Sequence, residues 1–170
     1  MQSGDPAVSA GDTRARARGM ETVDPWGDSL EVGRLADNPG FLAARYSFFA
    51  ANVANRTLAE FGLRTRSYSL LELATVGEGM SQAQIGRILC LDKSHIVRLV
   101  DEVAGQGLVG RFKDARDGRV AIIRATPAGR EVAGRAAAAL SDSYRRQLAG
   151  LSEAERADAF RVLRMLGLRF

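Results

Sequence analysis

The residues best suited to chemistry in this sequence are basic, and they fall into two short clusters. The first lies in residues 92–98 (DKSHIVR), and the second is residues 111–119 (RFKDARDGR). The second cluster has four basic and two acidic residues, so its net charge is 4 − 2 = +2. Ammonium and guanidinium groups bind phosphate oxygens and the hydrogen-bonding edge of guanine. Both clusters therefore favour a polyanionic partner.

Enzyme chemistry finds little support in the same residues. The chain has one histidine, His95, and one cysteine, Cys90, and it has neither a Ser–His–Asp set nor an HExxH motif. With so few ligands, neither a metal site nor a cofactor is expected. The apolar residues before Cys90 predict a buried, small side chain there. The alternative is a redox-sensing thiol, which would have to be exposed.

Composition indicates a globular chain with one core. Its 170 residues are 46% apolar and 26% charged, which are ordinary values. No run of 18 apolar residues occurs, so no membrane span is expected. A single cysteine fits a reducing cytoplasm. Residues 1–37 are rich in Gly, Ala, Asp and Arg and lack helical periodicity, which predicts a flexible N-terminal arm.

The first basic cluster is predicted to lie on the second helix of a tight helix pair. Ser81 with Gln84 is the signature of a capping box, and Asp92 is a good N-cap for the next helix. Helical spacing puts four apolar side chains of that second helix on its core side, namely Ile96, Leu99, Val100 and Val103. Its N-terminal turns then present Lys93, Ser94, His95, Val97 and Arg98.

The second cluster is predicted to be the tip of a hairpin, because strand-like runs at 108–112 and 119–125 flank it. A helix pair followed by a basic hairpin is the order of a winged helix-turn-helix. Such a fold reads base edges with the first turns of its second helix. The expected partner is therefore double-stranded DNA. Lys113 and Arg119 of the hairpin are expected to contact its phosphates.

Long apolar helices are predicted on both sides of this unit. One covers residues 38–62, and two more fill 126–170, where Thr126–Pro127 and the pair Ser152 and Glu155 mark helix starts. They carry more apolar surface than one small lobe should bury, which predicts a homodimer with twofold symmetry. The fold class is then mainly α: a winged helix-turn-helix lobe at 63–125 with a small β-hairpin wing and terminal dimerisation helices.

Residues 89–130 also resemble the core signature of the MarR-type (multiple antibiotic resistance regulator) transcription factors. The matching positions are Asp92-Lys93-Ser94, Val100-Asp101, Gly107-Leu108-Val109, Asp114, Arg116, Asp117, Arg119 and Thr126-Pro127-Ala128-Gly129. The resemblance implies a homodimer that binds a palindromic operator. It also implies that repression or activation is relieved by a small phenolic or anionic effector or by cysteine oxidation. It also implies that Arg116 enters the minor groove and that Asp114 braces the wing by pairing with an arginine. His95 departs from the pattern, since a small Thr or Ser is more usual there.

An effector site is expected where the first two helices meet the DNA-binding lobe. Tyr46, Phe49, Arg66 and Tyr68 combine aromatic rings with one guanidinium, which would suit a phenolic carboxylate. Ordinary packing is the alternative explanation of these residues. The sequence therefore predicts a dimeric DNA-binding regulator, a repressor, under effector control. The competing hypothesis is a winged-helix module that binds protein and not DNA, which an acidic or apolar recognition face would favour.

Overall fold

The computed structural model describes residues 21–23, 29–114 and 117–168. The chain divides into two compact units, Met1–Phe49 and Ala50–Phe170. In the described part of the first unit, strands β1 (Glu21–Val23) and β2 (Ser29–Glu31) pair antiparallel. The long helix α1 (Pro39–Ala59) begins in the first unit and ends in the second. Most of the predicted flexible arm, residues 1–20, lies outside the described residues.

The second unit carries the helix pair and the hairpin that the sequence predicted. In chain order its further elements are α2 (Thr65–Thr75), β3 (Met80–Ser81), α3 (Gln82–Ile88), α4 (Lys93–Gly105), β4 (Val109–Lys113), β5 (Ala121–Ala125), α5 (Pro127–Gln147) and α6 (Glu153–Gly167). The mainly helical fold with a small antiparallel sheet confirms the predicted fold class. Helices α3 and α4 with the hairpin β4–β5 form the winged helix-turn-helix.

Local capping signals position these helices as the sequence predicted. Ser81 Oγ accepts the backbone N–H of Gln84 at 3.2 Å, and Gln84 Oε1 accepts the backbone N–H of Ser81 at 2.9 Å. Thr126 Oγ1 accepts the N–H of Gly129 at 2.9 Å at the start of α5. Each cap satisfies amide groups that have no partner inside the helix. The starts of α3 and α5 are thus set by residues three positions apart.

The sheet has three antiparallel strands in the order β3–β5–β4. Met80 pairs with Ile123 on one side of β5, and Arg111 pairs with Ile123 on the other. Strand β3 was not predicted, because two residues are too few to show an alternating pattern. It fixes the base of the hairpin against the start of α3.

The core lies between α2, α4 and the sheet. Leu70, Leu71, Val100 and Ile123 are fully buried there. Ile96, Val100 and Val103 are buried on α4, as their spacing predicted. Ile88, the other isoleucine of α3, is 54% exposed. Helix α3 has only two turns, and the earlier Ile85 already occupies its core position.

Candidate nucleic-acid interface

The outer face of α4 carries all five residues that were predicted to contact DNA from this helix. The side chains on this face are exposed: Lys93, Ser94, His95, Val97 and Arg98. Ile96, between them in sequence, is 3% exposed and points into the core. The face therefore combines two cations, a hydroxyl, an imidazole and an aliphatic group, which together match base edges, a thymine methyl and phosphates.

The Asp92 carboxylate organises the start of α4. Its Oδ1 accepts the backbone N–H groups of Ser94 at 3.0 Å and His95 at 2.9 Å. Its Oδ2 lies 2.5 Å from His95 Nδ1. These hydrogen bonds, from the His95 backbone first and then from its ring and from Ser94, hold the pKa of Asp92 well below its usual range. Asp92 therefore caps the helix as an anion and holds one of the exposed side chains.

The wing turn is held by two aspartates. Asp114 Oδ1 accepts the backbone N–H of Asp117 at 3.0 Å. Asp117 in turn accepts from Arg119 Nε at 3.1 Å, and this interaction, with the Arg119 backbone N–H, lowers the pKa of Asp117. Arg116, the predicted minor-groove residue, lies outside the described residues. Lys113 and Arg119 are exposed on either side of the turn.

An ion pair joins the recognition helix to the wing. Asp101 Oδ1 accepts a hydrogen bond from the guanidinium of Arg111, which links α4 to β4. The sequence pattern identified Asp101 only as a position of the MarR-type signature and did not predict this pair. Its two members are ten residues apart on different elements, so no local pattern shows it. Through this contact the wing and the recognition helix are held together.

Between α3, α4 and the hairpin lies a groove with a volume of about 640 Å³. Arg87 and Lys93 line it on the helix side, and Val120 and Ala121 line it on the wing side. Sequence reasoning had not singled out Arg87. These two cations lie beside the exposed face of α4 and extend its positively charged surface, which suits the phosphates of a DNA backbone.

A second cavity, of about 670 Å³, lies among α2, α5, α6 and the second half of α1. Tyr68, which was predicted for an effector site, lines it with Tyr144, Arg145 and Arg156. Burial, and then the neighbouring Glu72 carboxylate, raise the pKa of Tyr68 above its usual range. Its hydroxyl therefore stays protonated as a hydrogen-bond donor.

The other three residues predicted for that site stand elsewhere. Arg66 is exposed on α2 and is not among the residues that line the cavity. Tyr46 and Phe49 are half-buried residues of the first unit, where the Arg45 guanidinium lies 5.0 Å from the Phe49 ring centre. An effector contact by these three side chains stays a prediction. Arg145 and Arg156 belong to the C-terminal helices, for which the sequence predicted only a role in dimerisation.

Cys90 was expected to be buried, and this is wrong: it is exposed in the turn between α3 and α4. Its φ of 52° lies in the left-handed region, which few residues other than glycine adopt. Among the described residues, no group of three or more His, Cys, Asp or Glu side chains could hold a metal ion. In the same part of the chain, no helix combines the length and apolarity needed to cross a bilayer.

A capped helix pair, an exposed polar recognition face and a basic hairpin together define a winged helix-turn-helix protein. A model of the MarR family matches residues 63–121. A MarR-family transcriptional regulator from Rhodococcus sp. RHA1 is 33% identical, with a TM-score of 0.75 over 80% of this chain and 96% of that one. This chain belongs to the MarR family of transcriptional regulators.

Two further proteins are similar over most of their length. CouR from Rhodococcus jostii RHA1, solved with bound p-coumaroyl-CoA, is 34% identical, with a TM-score of 0.71 over 80% of this chain and 96% of that one. A Thauera aromatica protein named as a transcriptional regulator for the hcr operon is 28% identical over 138 residues. That alignment spans 81% of this chain and 83% of the relative.

Proposed function

We propose that this chain is a homodimeric, sequence-specific DNA-binding repressor whose operator affinity is lowered by an anionic aromatic effector. The observation that carries the DNA-binding part is the exposed face of α4, flanked by the wing and by the groove with Arg87 and Lys93. Residues 63–125 form the DNA-binding lobe in this proposal. Residues 38–62 and 126–170 form the dimer, and the protein acts in the cytoplasm, where it reaches DNA.

The contacts divide into two classes. In this proposal Arg98 and His95 read base edges in the major groove, and Val97 touches a thymine methyl. Lys93, Lys113, Arg116 and Arg119 are phosphate or minor-groove contacts. Phosphate contacts contribute affinity that falls steeply with salt, whereas base contacts contribute sequence preference.

The experiment is fluorescence anisotropy with the intergenic duplex beside the chain's own gene, over a series of salt concentrations. We expect Arg98→Ala to weaken binding by about 1–3 kcal/mol and to relax preference at one base pair. We expect Lys93→Ala to reduce the salt slope by about one. Arg146→Ala removes the same charge from an exposed position on α5 and serves as the control.

The two outcomes that would reject this reading are distinct. If Arg98→Ala and Lys93→Ala bind as tightly as the wild type, α4 is not the recognition helix. If the wild type binds no duplex at low salt but forms a stable protein complex, the winged-helix protein-interaction module is the better description. The exposed cations of α4 favour DNA, because an acidic or apolar face would be expected for a protein partner.

The effector part of the proposal rests on the cavity of about 670 Å³. That volume accommodates an aromatic acid and falls within the range of small-molecule sites. Within the described residues, no ion pair or side-chain hydrogen bond engages the half-buried guanidinium of Arg156 at its rim, whereas Arg145 pairs with Asp142 at 2.9 Å. The aromatic thioester bound by CouR, a similar protein, supports an aromatic acyl group with an anionic end.

A thermal-shift series tests this part of the proposal. Aromatic carboxylates and their coenzyme A thioesters should raise the melting temperature, because a ligand that binds the folded state stabilises it by about 2.7 kcal/mol at 100 times its Kd. Arg156→Gln should remove the response to the anionic ligand but not the response to its neutral amide. Arg146→Gln, outside the cavity lining, should respond like the wild type. An equal response of Arg156→Gln to acid and amide would reject Arg156 as the anion contact.

A further inference from the structure

The two carboxylate oxygens of Asp92 have different hydrogen-bond partners. Oδ1 is taken up by the helix cap, since it accepts the backbone N–H groups of Ser94 and His95 and the Ser94 hydroxyl at 2.8 Å. Oδ2 faces the imidazole, 2.5 Å from Nδ1. The cap therefore holds the carboxylate still, and the carboxylate holds the ring.

This geometry fixes where the ring carries its hydrogen. Asp92 is ionised at neutral pH, because its hydrogen bonds lower its pKa. An ionised carboxylate can only accept hydrogen bonds, so the hydrogen between the two groups is on Nδ1. A neutral imidazole has one ring N–H. In the neutral ring, Nε2 is therefore left with its lone pair and can act only as an acceptor.

The imidazole belongs to the exposed face of α4. The His95 side chain is 54% exposed and stands in the first turn with Lys93 and Ser94. In the major groove, adenine and cytosine present an amino donor, whereas guanine and thymine present oxygen or N7 acceptors. An accepting Nε2 therefore suits adenine and cytosine, whose amino groups donate to it, and disfavours guanine and thymine, which present acceptors.

We propose that Asp92 is a positioning residue that fixes His95 as a hydrogen-bond acceptor, so that His95 selects an adenine or cytosine amino group at one operator position. The proposal rests on the DNA-binding function proposed above and adds a base preference to it. The same carboxylate thus stabilises the recognition helix and sets the hydrogen-bonding character of its reading edge.

The capping role and the positioning role can be separated by substitution. Asparagine is about as good an N-cap as aspartate, so Asp92→Asn keeps an oxygen for the backbone N–H groups. Its amide nitrogen can donate to Nδ1, which moves the ring hydrogen to Nε2 and makes that atom a donor. Asp92→Ser also caps the helix, but it has no second group for the imidazole.

The first arm of the experiment observes the ring directly. His95 is the only histidine of the chain, so every imidazole signal in a two-bond ¹H–¹⁵N spectrum of the full-length protein arises from it. At a pH where the ring is neutral, the wild type should show the Nδ1–H tautomer, and Asp92→Asn should show the Nε2–H tautomer. A wild type with the Nε2–H tautomer, or Asp92→Asn with an unchanged spectrum, overturns the proposal.

The second arm measures base preference by selection from a randomised duplex library. The wild type should prefer adenine or cytosine at one position by about tenfold or more, and Asp92→Asn should prefer guanine or thymine there. Asp92→Ser and His95→Ala should show no preference at that position. A purely structural cap would lower affinity for all sequences alike and leave the preference unchanged.

The outcomes separate this proposal from the proposed function. If the wild type selects an operator but His95→Ala selects the same bases at every position, His95 does not read a base and the inference fails while the regulator stands. If the wild type selects no sequence at all, the DNA-binding function fails, and base reading by His95 fails with it. The tautomer spectrum then still reports whether Asp92 positions the ring.

Discussion

The two aspartates of the wing have different tasks. The Asp117 carboxylate forms an ion pair with the Arg119 guanidinium and also accepts the Arg119 backbone N–H at 3.1 Å. Asp114 instead accepts the N–H of Asp117, and its own N–H donates to the Val120 carbonyl at 2.9 Å, so it closes the turn from both sides. The expected pairing of Asp114 with an arginine stays a prediction. A negative charge in a DNA-binding loop is therefore explained by the shape of the loop.

This assignment gives a prediction whose sign differs from simple electrostatics. Asp114→Ala removes a negative charge next to DNA, which by Coulomb attraction alone should tighten binding. Loss of the hydrogen bond to Asp117 should instead loosen the wing and weaken binding by about 1 kcal/mol, roughly fivefold. Anisotropy with the operator measures the difference. Asp114→Asn keeps the acceptor without the charge and should bind at least as tightly as the wild type. Tighter binding by Asp114→Ala would reject the assignment.

At the scale of elements, the start of α5 explains the Thr-Pro-Ala-Gly stretch. Thr126 caps the helix, and Pro127 has no N–H to leave unsatisfied at its first position. Gly129 lies directly under the chain that enters β4. A Cβ at Gly129 would stand 1.9 Å from the Leu108 carbonyl oxygen, so no other residue fits without movement of the backbone. This close approach ties the wing to the long C-terminal helix.

Two substitutions on α5 test this packing against helix propensity. Gly129→Ala should lower the free energy of unfolding by about 1–3 kcal/mol, as overpacked cores do. Gly134→Ala places the same methyl group on the same helix with no atom within 4 Å, and it should raise stability by about 0.5–1 kcal/mol. Urea unfolding followed by circular dichroism measures both. Equal effects of the two substitutions would show that the approach to Leu108 does not constrain α5.

The elements also show which parts of the site the sequence could predict. Capping boxes and N-caps act over three residues, so the starts of α3, α4, α5 and α6 were predicted correctly. Contacts between distant segments leave no such local mark. For this reason the Asp101–Arg111 pair was missed, and so was Arg156, which reaches the cavity from the last helix. Exposure of Ile88 and Cys90 also depends on the path of the turn, which the apolar pattern does not specify.

At the scale of the whole molecule, the apolar surface of α6 is larger than a monomer explains. Among its described residues none is buried. Its exposed apolar side chains are Phe160, Val162, Leu163, Met165 and Leu166. A contiguous apolar helix face on a small protein indicates a partner surface. A second copy of the chain would cover it and would place two recognition helices on a palindromic operator, one helical turn apart.

The dimer is tested by placing a carboxylate on that face. Leu166 is 59% exposed, so Leu166→Glu should not disturb the core of the subunit, but it would bury a charge in the dimer. We expect sedimentation velocity to show a dimer for the wild type at micromolar concentration and a monomer for Leu166→Glu. Operator affinity should fall when dimerisation is lost, because a monomer contacts only one half-site. Arg164→Glu places the same carboxylate at an exposed polar position of α6 and should remain dimeric. A wild-type monomer that binds the full operator as one unit would contradict this assembly, and with it the twofold reading of the operator.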